Sequence, residues 1–174
     1  MGFDRRQRCS DFPCCGGAKR VLVVGAERPD EFRDALRLLW RGHDVAVVNP
    51  RVSRAARIFR SVGGWFIPTR IERLPDELRS FDLICESYPY PSGRYSLPAK
   101  AFAWARLARL ARGGRWILFT ESPRYARELK AAVKDRPEGA DFSVKVSPVA
   151  ENLAPQSSYP PTSTRYRLIF ERRQ

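Results

Sequence analysis

Three short segments carry residues suited to ligand binding, and each directly follows an apolar run. Gly25, Ala26 and Glu27 follow VLVV, and Asn49 and Pro50 follow VAVV. The segment after FDLIC contains Glu86, Ser87, Tyr88, Pro89 and Tyr90. Glycine lets a ligand approach closely, amide and carboxylate oxygens accept hydrogen bonds, and aromatic rings stack on planar groups. Together these residues predict a ligand crevice with a substrate-facing loop.

The elements that must hold these segments alternate between strand and helix. Continuous apolar, β-branched runs are typical of strands buried on both faces. They predict strands at 19–26, 44–50, 64–68, 81–85, 115–121, 141–148 and 165–173. Helical spacing predicts helices from Pro29 to a stop at Gly42, and over 51–62, 97–111 and 123–134. This alternation favours right-handed crossovers and a parallel sheet.

The end of the chain departs from this alternation. The last two strands are joined by a Pro/Ser-rich stretch, 148–164, that has no helical pattern. Without a crossover helix, two successive strands are expected to pair antiparallel. We therefore expect an α/β, Rossmann-like three-layer sandwich with a mostly parallel seven-stranded sheet. Residues 1–18 are polar and aperiodic and are expected to form a flexible leader, with one domain over 19–174.

Several stretches resemble the class I S-adenosylmethionine-dependent methyltransferases. LARLARGGRWILFTE resembles the family's helix, glycine turn and fifth strand, and FDLICESYPY resembles its fourth strand and active-site loop. VLVVGAERPDE and VAVVNP lie where its first motif and second strand belong. The resemblance implies an antiparallel seventh strand between the fifth and sixth. It also implies methyl transfer from S-adenosylmethionine to an acceptor that the sequence does not identify.

The resemblance assigns roles to individual residues. It implies cofactor binding by Gly25, Ala26, Glu27, Asn49, Pro50, Arg70 and Ile71, and catalysis by Glu86, Tyr88 and Tyr90. The chain also departs from the family pattern. Asn49 replaces the usual ribose-binding acid, Arg70 replaces an acid near the adenine, and only the first glycine of the first motif remains. An amide accepts a hydroxyl hydrogen bond without charge assistance, so we expect modest cofactor affinity.

Other functions remain open on the sequence alone. The chain could be a catalytically inactive methyltransferase-like module that binds nucleic acid through a basic surface. An NAD(P)-binding Rossmann protein is a weaker alternative, because Gly-x-Gly-x-x-Gly is missing. A small effector or toxin module cut from a longer chain is a further possibility.

Charge is the strongest compositional feature. The 174 residues include 32 Lys and Arg against 19 Asp and Glu, for a net charge of +13. Such a surplus favours anionic partners such as nucleic acid, although a GC-rich genome also inflates arginine. The basic residues form rows at helical spacing: Arg51/Arg54/Arg57/Arg60, Arg106/Arg109/Arg112 and Arg124/Arg127/Lys130/Lys134. We expect these rows to be solvated outer faces, with phosphate contacts as the alternative.

The remaining features predict little chemistry. Cys9, Cys14 and Cys15 lack a second cysteine pair at zinc-binding spacing, and Cys85 lies in an apolar run, so no metal site is expected. The lone histidine, His43, is expected to be structural. No stretch reaches the ~18 apolar residues of a membrane span and no secretion signal is evident, so we expect a cytoplasmic protein.

Overall fold

The computed structural model describes residues 19–26, 29–87, 98–120, 122–149 and 165–174. In these ranges the strands are β1 (Arg20–Val24), β2 (Asp44–Val48), β3 (Trp65–Ile67), β4 (Phe81–Ser87), β5 (Leu110–Thr120), β6 (Phe142–Val149) and β7 (Arg165–Arg172). The α-helices are α1 (Pro29–Trp40), α2 (Arg54–Ser61), α3 (Ala99–Leu107) and α4 (Pro123–Lys134). The expected leader, 1–18, lies outside the described residues.

All seven strands form a single sheet in the order β3-β2-β1-β4-β5-β7-β6. The neighbouring pairs from β3 to β5 are parallel. β7 runs antiparallel to both β5 and β6, between which it lies. The predicted α/β sheet, with six parallel strands and an inserted antiparallel seventh, is confirmed.

Local signals in the sequence explain where the helices begin. α1 starts at Pro29, as predicted. The side chains of Ser53 and Ser122 cap α2 and α4 by accepting hydrogen bonds from the backbone N–H groups of Ala56 and Tyr125. Each cap satisfies a backbone donor that the first helical turn leaves unpaired.

The predicted helix over 97–111 is wrong at its end. α3 stops at Leu107, and β5 has already begun at Leu110. Leu110 pairs with Phe81, whereas the next pair joins Leu83 to Arg115, so the residues between bulge out of the ladder. Leu110 is buried in the core, at 1% exposure, and this burial explains why the chain enters the sheet before Gly113 and Gly114.

Two apolar layers cover the two faces of the sheet. One contains residues of α1 and α2, including Phe32 and Phe59, which pack with their ring centroids 5.8 Å apart. The other contains residues of α3 and α4. In that second layer Trp116 of β5 stacks on Phe170 of β7 at 4.4 Å. The expected three-layer arrangement follows from these contacts.

The expectation of solvated arginine rows holds for some positions and is wrong for two. Arg54, Arg57 and Arg60 on α2 are exposed. Arg106 and Arg109, however, are 3% and 7% exposed and lie inside the fold. Arg106 lies on α3 and Arg109 follows that helix, and both side chains turn inward, where the protein must supply partners for them, whereas Lys100 of α3 is exposed.

Candidate active site

The carboxyl ends of β1, β2 and β4 lie side by side at one edge of the sheet. In the parallel ladders, Val24 pairs with Val48 on one side and with Glu86 on the other. Gly25, Asn49 and Glu86 therefore come together, although they are up to 61 positions apart in the sequence. Crevices at this edge are the usual ligand sites of doubly wound sheets. The sequence prediction that these segments meet agrees with this geometry.

The turn after β1 leaves room for a ligand. Gly25 has a φ of +79°, and a Cβ built on it would meet no heavy atom within 4 Å. Its N–H donates to the carbonyl of Val48 at 2.9 Å, which fixes the turn against β2. Ala26 is 3% exposed and packs into the α1/α2 layer. The turn therefore combines a rigid backbone with open space beside the glycine.

Asn49 lies at the predicted place, but the protein already uses its amide. The Nδ2 group donates to the carbonyl of Ala26 at 3.0 Å, and Oδ1 accepts from the N–H of Arg51 at 2.8 Å. The residue is 2% exposed, whereas its neighbour Pro50 is exposed. Asn49 thus ties the end of β2 to the turn after β1. Its amide oxygen keeps one lone pair for a further hydrogen bond.

Glu86, near the end of β4, is one half of a buried ion pair. Its two carboxylate oxygens accept hydrogen bonds from Nε and Nη2 of Arg106 at 2.9 and 2.8 Å. The two side chains are only 5% and 4% exposed. The fork-to-fork geometry fixes the orientation of the carboxylate.

Arg106 also reaches a second carboxylate. Its Nη1 donates to Glu72 at 2.7 Å and to the carbonyl of Phe102 at 3.1 Å, and its guanidinium lies 3.5 Å from the centre of the Phe102 ring. Glu72 follows β3, in a single 3-10 turn over Ile71–Arg73. One arginine therefore links the segment after β3 to the end of β4. We call Glu72, Arg106 and Glu86 the Arg106 triad.

The two carboxylates of the triad keep the central Arg106 guanidinium charged. Burial alone lowers the pKa of the Arg106 guanidinium, but the charges and hydrogen bonds of Glu86 and then Glu72 outweigh it and raise the pKa. Nearby, burial and then the charge of Glu86 raise the pKa of Tyr125, so its phenol stays protonated. Tyr125 packs edge-on against Phe102, with the ring centroids 5.8 Å apart.

The other predicted site residues fall into two groups. Arg70 is exposed beside the 3-10 turn, and Ile71 is 2% exposed and packs into the core, so the two side chains point different ways. Glu27, Tyr88 and Tyr90 lie outside the described residues, as does the side chain of Ser87. Their predicted roles remain predictions.

The sequence reading missed Arg106 and its partner Glu72. The spacing of three between Arg106 and Arg109 predicts that they share a solvated outer face. The signal against this prediction is the run AFAWARLARLA, in which these two arginines are the only charged residues. An isolated charge in an apolar helix is a signal for a buried, paired arginine.

The described residues contain neither a cluster suited to a metal ion nor a helix suited to a membrane span. Nowhere in these ranges do three or more His, Cys, Asp or Glu residues gather in a way that could hold a metal ion. Among the described helices, none combines the length and the apolar character needed to cross a membrane. His43 is 8% exposed, and its Nδ1 accepts from the N–H of Lys19 at 3.2 Å, which is a structural contact.

Comparison with solved structures identifies the fold. TrmN from Thermus thermophilus is 21% identical, with a TM-score of 0.65 over 89% of this chain and 44% of its own. The N-methyltransferase NodS from Bradyrhizobium japonicum WM9 is 16% identical, with a TM-score of 0.61 over 97% of this chain and 92% of its own. The antibiotic-resistance methyltransferase Kmr is 19% identical, with a TM-score of 0.59 over 92% and 89%.

No protein-family model matches the sequence, and no curated protein matches it. The comparison therefore rests on the solved structures alone. At sequence identities of 16–21%, these structures show the fold. The chain has the fold of the class I S-adenosylmethionine-dependent methyltransferases, as the resemblance in its sequence predicts.

Proposed function

We propose that this protein binds S-adenosylmethionine at the carboxyl ends of β1 and β2 and transfers its methyl group to an acceptor held beyond β4. The observation that carries the proposal is the sheet order, with β7 antiparallel between β5 and β6. The methyltransferases with which the fold compares support this activity. The same strand order argues against the NAD(P) alternative, since an ordinary dinucleotide-binding sheet stays parallel.

The residues at the edge of the sheet fit the cofactor in part. The open space beside Gly25 suits close approach of a nucleoside, and the free lone pair of the Asn49 amide suits a ribose hydroxyl. The exposed Pro50 and Arg70 and the backbone of Ile71 would flank the adenine, and Ala26 and Glu27 would complete the turn. Because the Asn49 amide is neutral and already bonded twice, we expect weaker binding than an acid at this position would give.

On the acceptor side, Glu86, Tyr88 and Tyr90 are the proposed catalytic residues. The bound cofactor supplies an activated methyl group on a sulfonium, so the protein's task is to place the acceptor in line and stabilise charge. Arg106 fixes the Glu86 carboxylate, and each oxygen keeps capacity to accept one more hydrogen bond, for example from an acceptor amine. Tyr88 and Tyr90 would stack on a planar acceptor.

Titration calorimetry with S-adenosylmethionine, S-adenosylhomocysteine, NAD and NADP tests the cofactor assignment. We expect the two adenosyl ligands to bind and the dinucleotides to give no heat. Gly25→Ala should weaken binding about tenfold, because the new Cβ fills the space that the ligand needs.

Gly42→Ala is the matched control for that substitution. Gly42 has a φ of +82°, and nothing lies within 4 Å of its Cβ position, but it belongs to the opposite edge of the sheet. Both changes carry a similar left-handed backbone cost of roughly 1–2 kcal/mol. Equal loss of ligand affinity in the two variants would contradict the proposed site.

The second candidate is the inactive module that binds nucleic acid. The observation that favours it is that the protein already uses both ends of the Asn49 amide, in hydrogen bonds to Ala26 and Arg51. If no adenosyl ligand binds at millimolar concentration, this candidate replaces the methyltransferase.

A further inference from the structure

The outer side of α2 carries an unusual concentration of positive charge. Arg54, Arg57 and Arg60 are exposed, and the helix RAARIFRS contains no acidic residue. Ala56 and Phe59 occupy the buried side of the helix. The three arginines therefore lie on the outer side of the helix, with successive Cα atoms about 4.5 Å further along the helix axis.

These arginines differ from several others in the fold that form ion pairs. Arg37, Arg79, Arg115 and Arg124 each pair with a carboxylate within 3.0 Å. For Arg54, Arg57 and Arg60, no carboxylate lies within ion-pair distance in the part of the chain that the structure describes. Among the described residues no neighbour neutralises their charge, so they raise the local positive potential.

Exposed apolar side chains are concentrated in the same stretch of the sequence. Six large hydrophobic side chains are exposed among the described residues, and five of them lie between positions 40 and 65: Trp40, Val52, Ile58, Val62 and Trp65. Trp40 and Trp65 are 72% and 58% exposed. An exposed tryptophan ring offers a large flat surface on which a planar group can stack.

Topology places these features around one border of the sheet. β3 is the outermost strand in the order, and Trp65 begins it. Phe66 packs under α1 and α2, so the alternation of a strand directs Trp65 to the other face. A ligand that touches both the arginines and Trp65 must pass around this border. We call Arg54, Arg57, Ile58, Arg60 and Trp65 the α2 border.

We propose that the α2 border is a docking surface for single-stranded nucleic acid. The arginine row would hold successive phosphates, and Trp65 would stack on a base. A flexible single strand can bend around the border of the sheet, whereas a duplex cannot follow it over so short a distance. A second copy of this chain is a poor occupant, because a two-fold contact would set one arginine row against another. The proposal does not depend on cofactor binding.

Binding of a fluorescein-labelled 20-nucleotide RNA, measured by anisotropy without cofactor, tests the proposal. The triple variant Arg54→Glu, Arg57→Glu, Arg60→Glu should bind about tenfold or more weakly than the parent. The slope of log affinity against log salt should fall by about 2, since each lost phosphate contact on a single strand removes ~0.7. A triple Arg→Gln variant repeats the test with a smaller change in charge.

The matched control reverses three exposed cations on α4 by Arg124→Glu, Arg127→Glu and Lys134→Glu. Its net charge equals that of the α2 variant, so it should keep affinity within about twofold if the surface is specific. Equal losses in both variants would mean that only total charge matters and would overturn the proposal. Circular dichroism melting ensures that each variant is folded.

Tryptophan fluorescence tests separately whether Trp65 stacks on a base. Trp40 and Trp65 are exposed, whereas Trp116 is fully buried and Trp104 partly buried, so the accessible emission comes mainly from the first two. RNA should quench the parent, and Trp65→Leu should lose part of that quenching and bind about tenfold more weakly. Binding without quenching, unchanged affinity of Trp65→Leu, or a preference for duplex RNA would each count against this surface.

Discussion

Arg106 shows how one side chain can join two segments of a crevice that are distant in the sequence. It donates to Glu72 after β3 and to both oxygens of Glu86 in β4. Removing one member of a buried pair leaves the other charge without compensation, which is more costly than losing an exposed pair. The Arg106 triad therefore contributes to stability as well as to the orientation of Glu86.

Glu86→Gln should lower the free energy of unfolding by about 3 kcal/mol, because Arg106 then loses its main buried counter-charge. Glu72→Gln should cost less, since its side chain is 26% exposed. Urea unfolding measures both. The control is Glu171→Gln, which breaks a half-exposed pair with Arg115 and should cost about 0.5 kcal/mol. A loss at Glu86 no larger than at Glu171 would contradict a stabilising role for the triad.

At the scale of elements, Arg109 organises a loop that has little regular structure. Its guanidinium donates to the carbonyls of Leu74, Pro75 and Leu78 at 2.7–3.0 Å. A planar guanidinium can donate to three carbonyls at once because its N–H groups are fixed in a fork. The segment 74–78 thus depends on a residue that follows α3.

Arg109→Lys should loosen this loop while leaving the sheet intact, because an ammonium cannot reproduce the fork. We expect faster amide hydrogen exchange at 74–78 and a stability loss of about 1–2 kcal/mol. The exposed Arg112→Lys serves as the control and should change neither quantity. Unaltered exchange at 74–78 in Arg109→Lys would show that the loop does not need these bonds.

The sequence predicted the sheet better than the details of α3 and its partners. Buried parallel strands are continuous apolar runs, and two strands without a helix between them indicated the antiparallel β7. Charge periodicity misplaced Arg106 and Arg109, because periodicity reports which residues share a face and not whether that face is buried. Glu86 was correctly expected at the edge of the crevice, but its partner is 20 residues away and no local pattern joins them.

At the scale of the whole molecule, β7 joins β6 to the rest of the sheet. Leu168 and Phe170 are fully buried, and Phe170 stacks on Trp116 of β5. The ladders of β7 reach β5 on one side and β6 on the other. The cooperativity of the sheet therefore depends on this strand.

Phe170→Ala should destabilise the protein by roughly 3–5 kcal/mol, because it leaves a cavity beside Trp116. Val146→Ala, on β6, is the control; this side chain is 39% exposed and should cost less than about 1 kcal/mol. Chemical denaturation followed by circular dichroism compares the two. Similar midpoints for both variants would mean that β7 is not the structural link that its position indicates.

The position of β7 also bears on how the protein is made. During translation, the other six strands of the described sheet leave the ribosome before β7 does, and among the described strands β6 pairs with β7 alone. Until β7 emerges, the nascent chain carries a β5 with an open hydrogen-bonding edge and a β6 without a partner. Such open edges invite pairing with other chains. Ribosome pausing within 150–164 would prolong that state, so newly synthesised chains should need chaperone protection most at this stage.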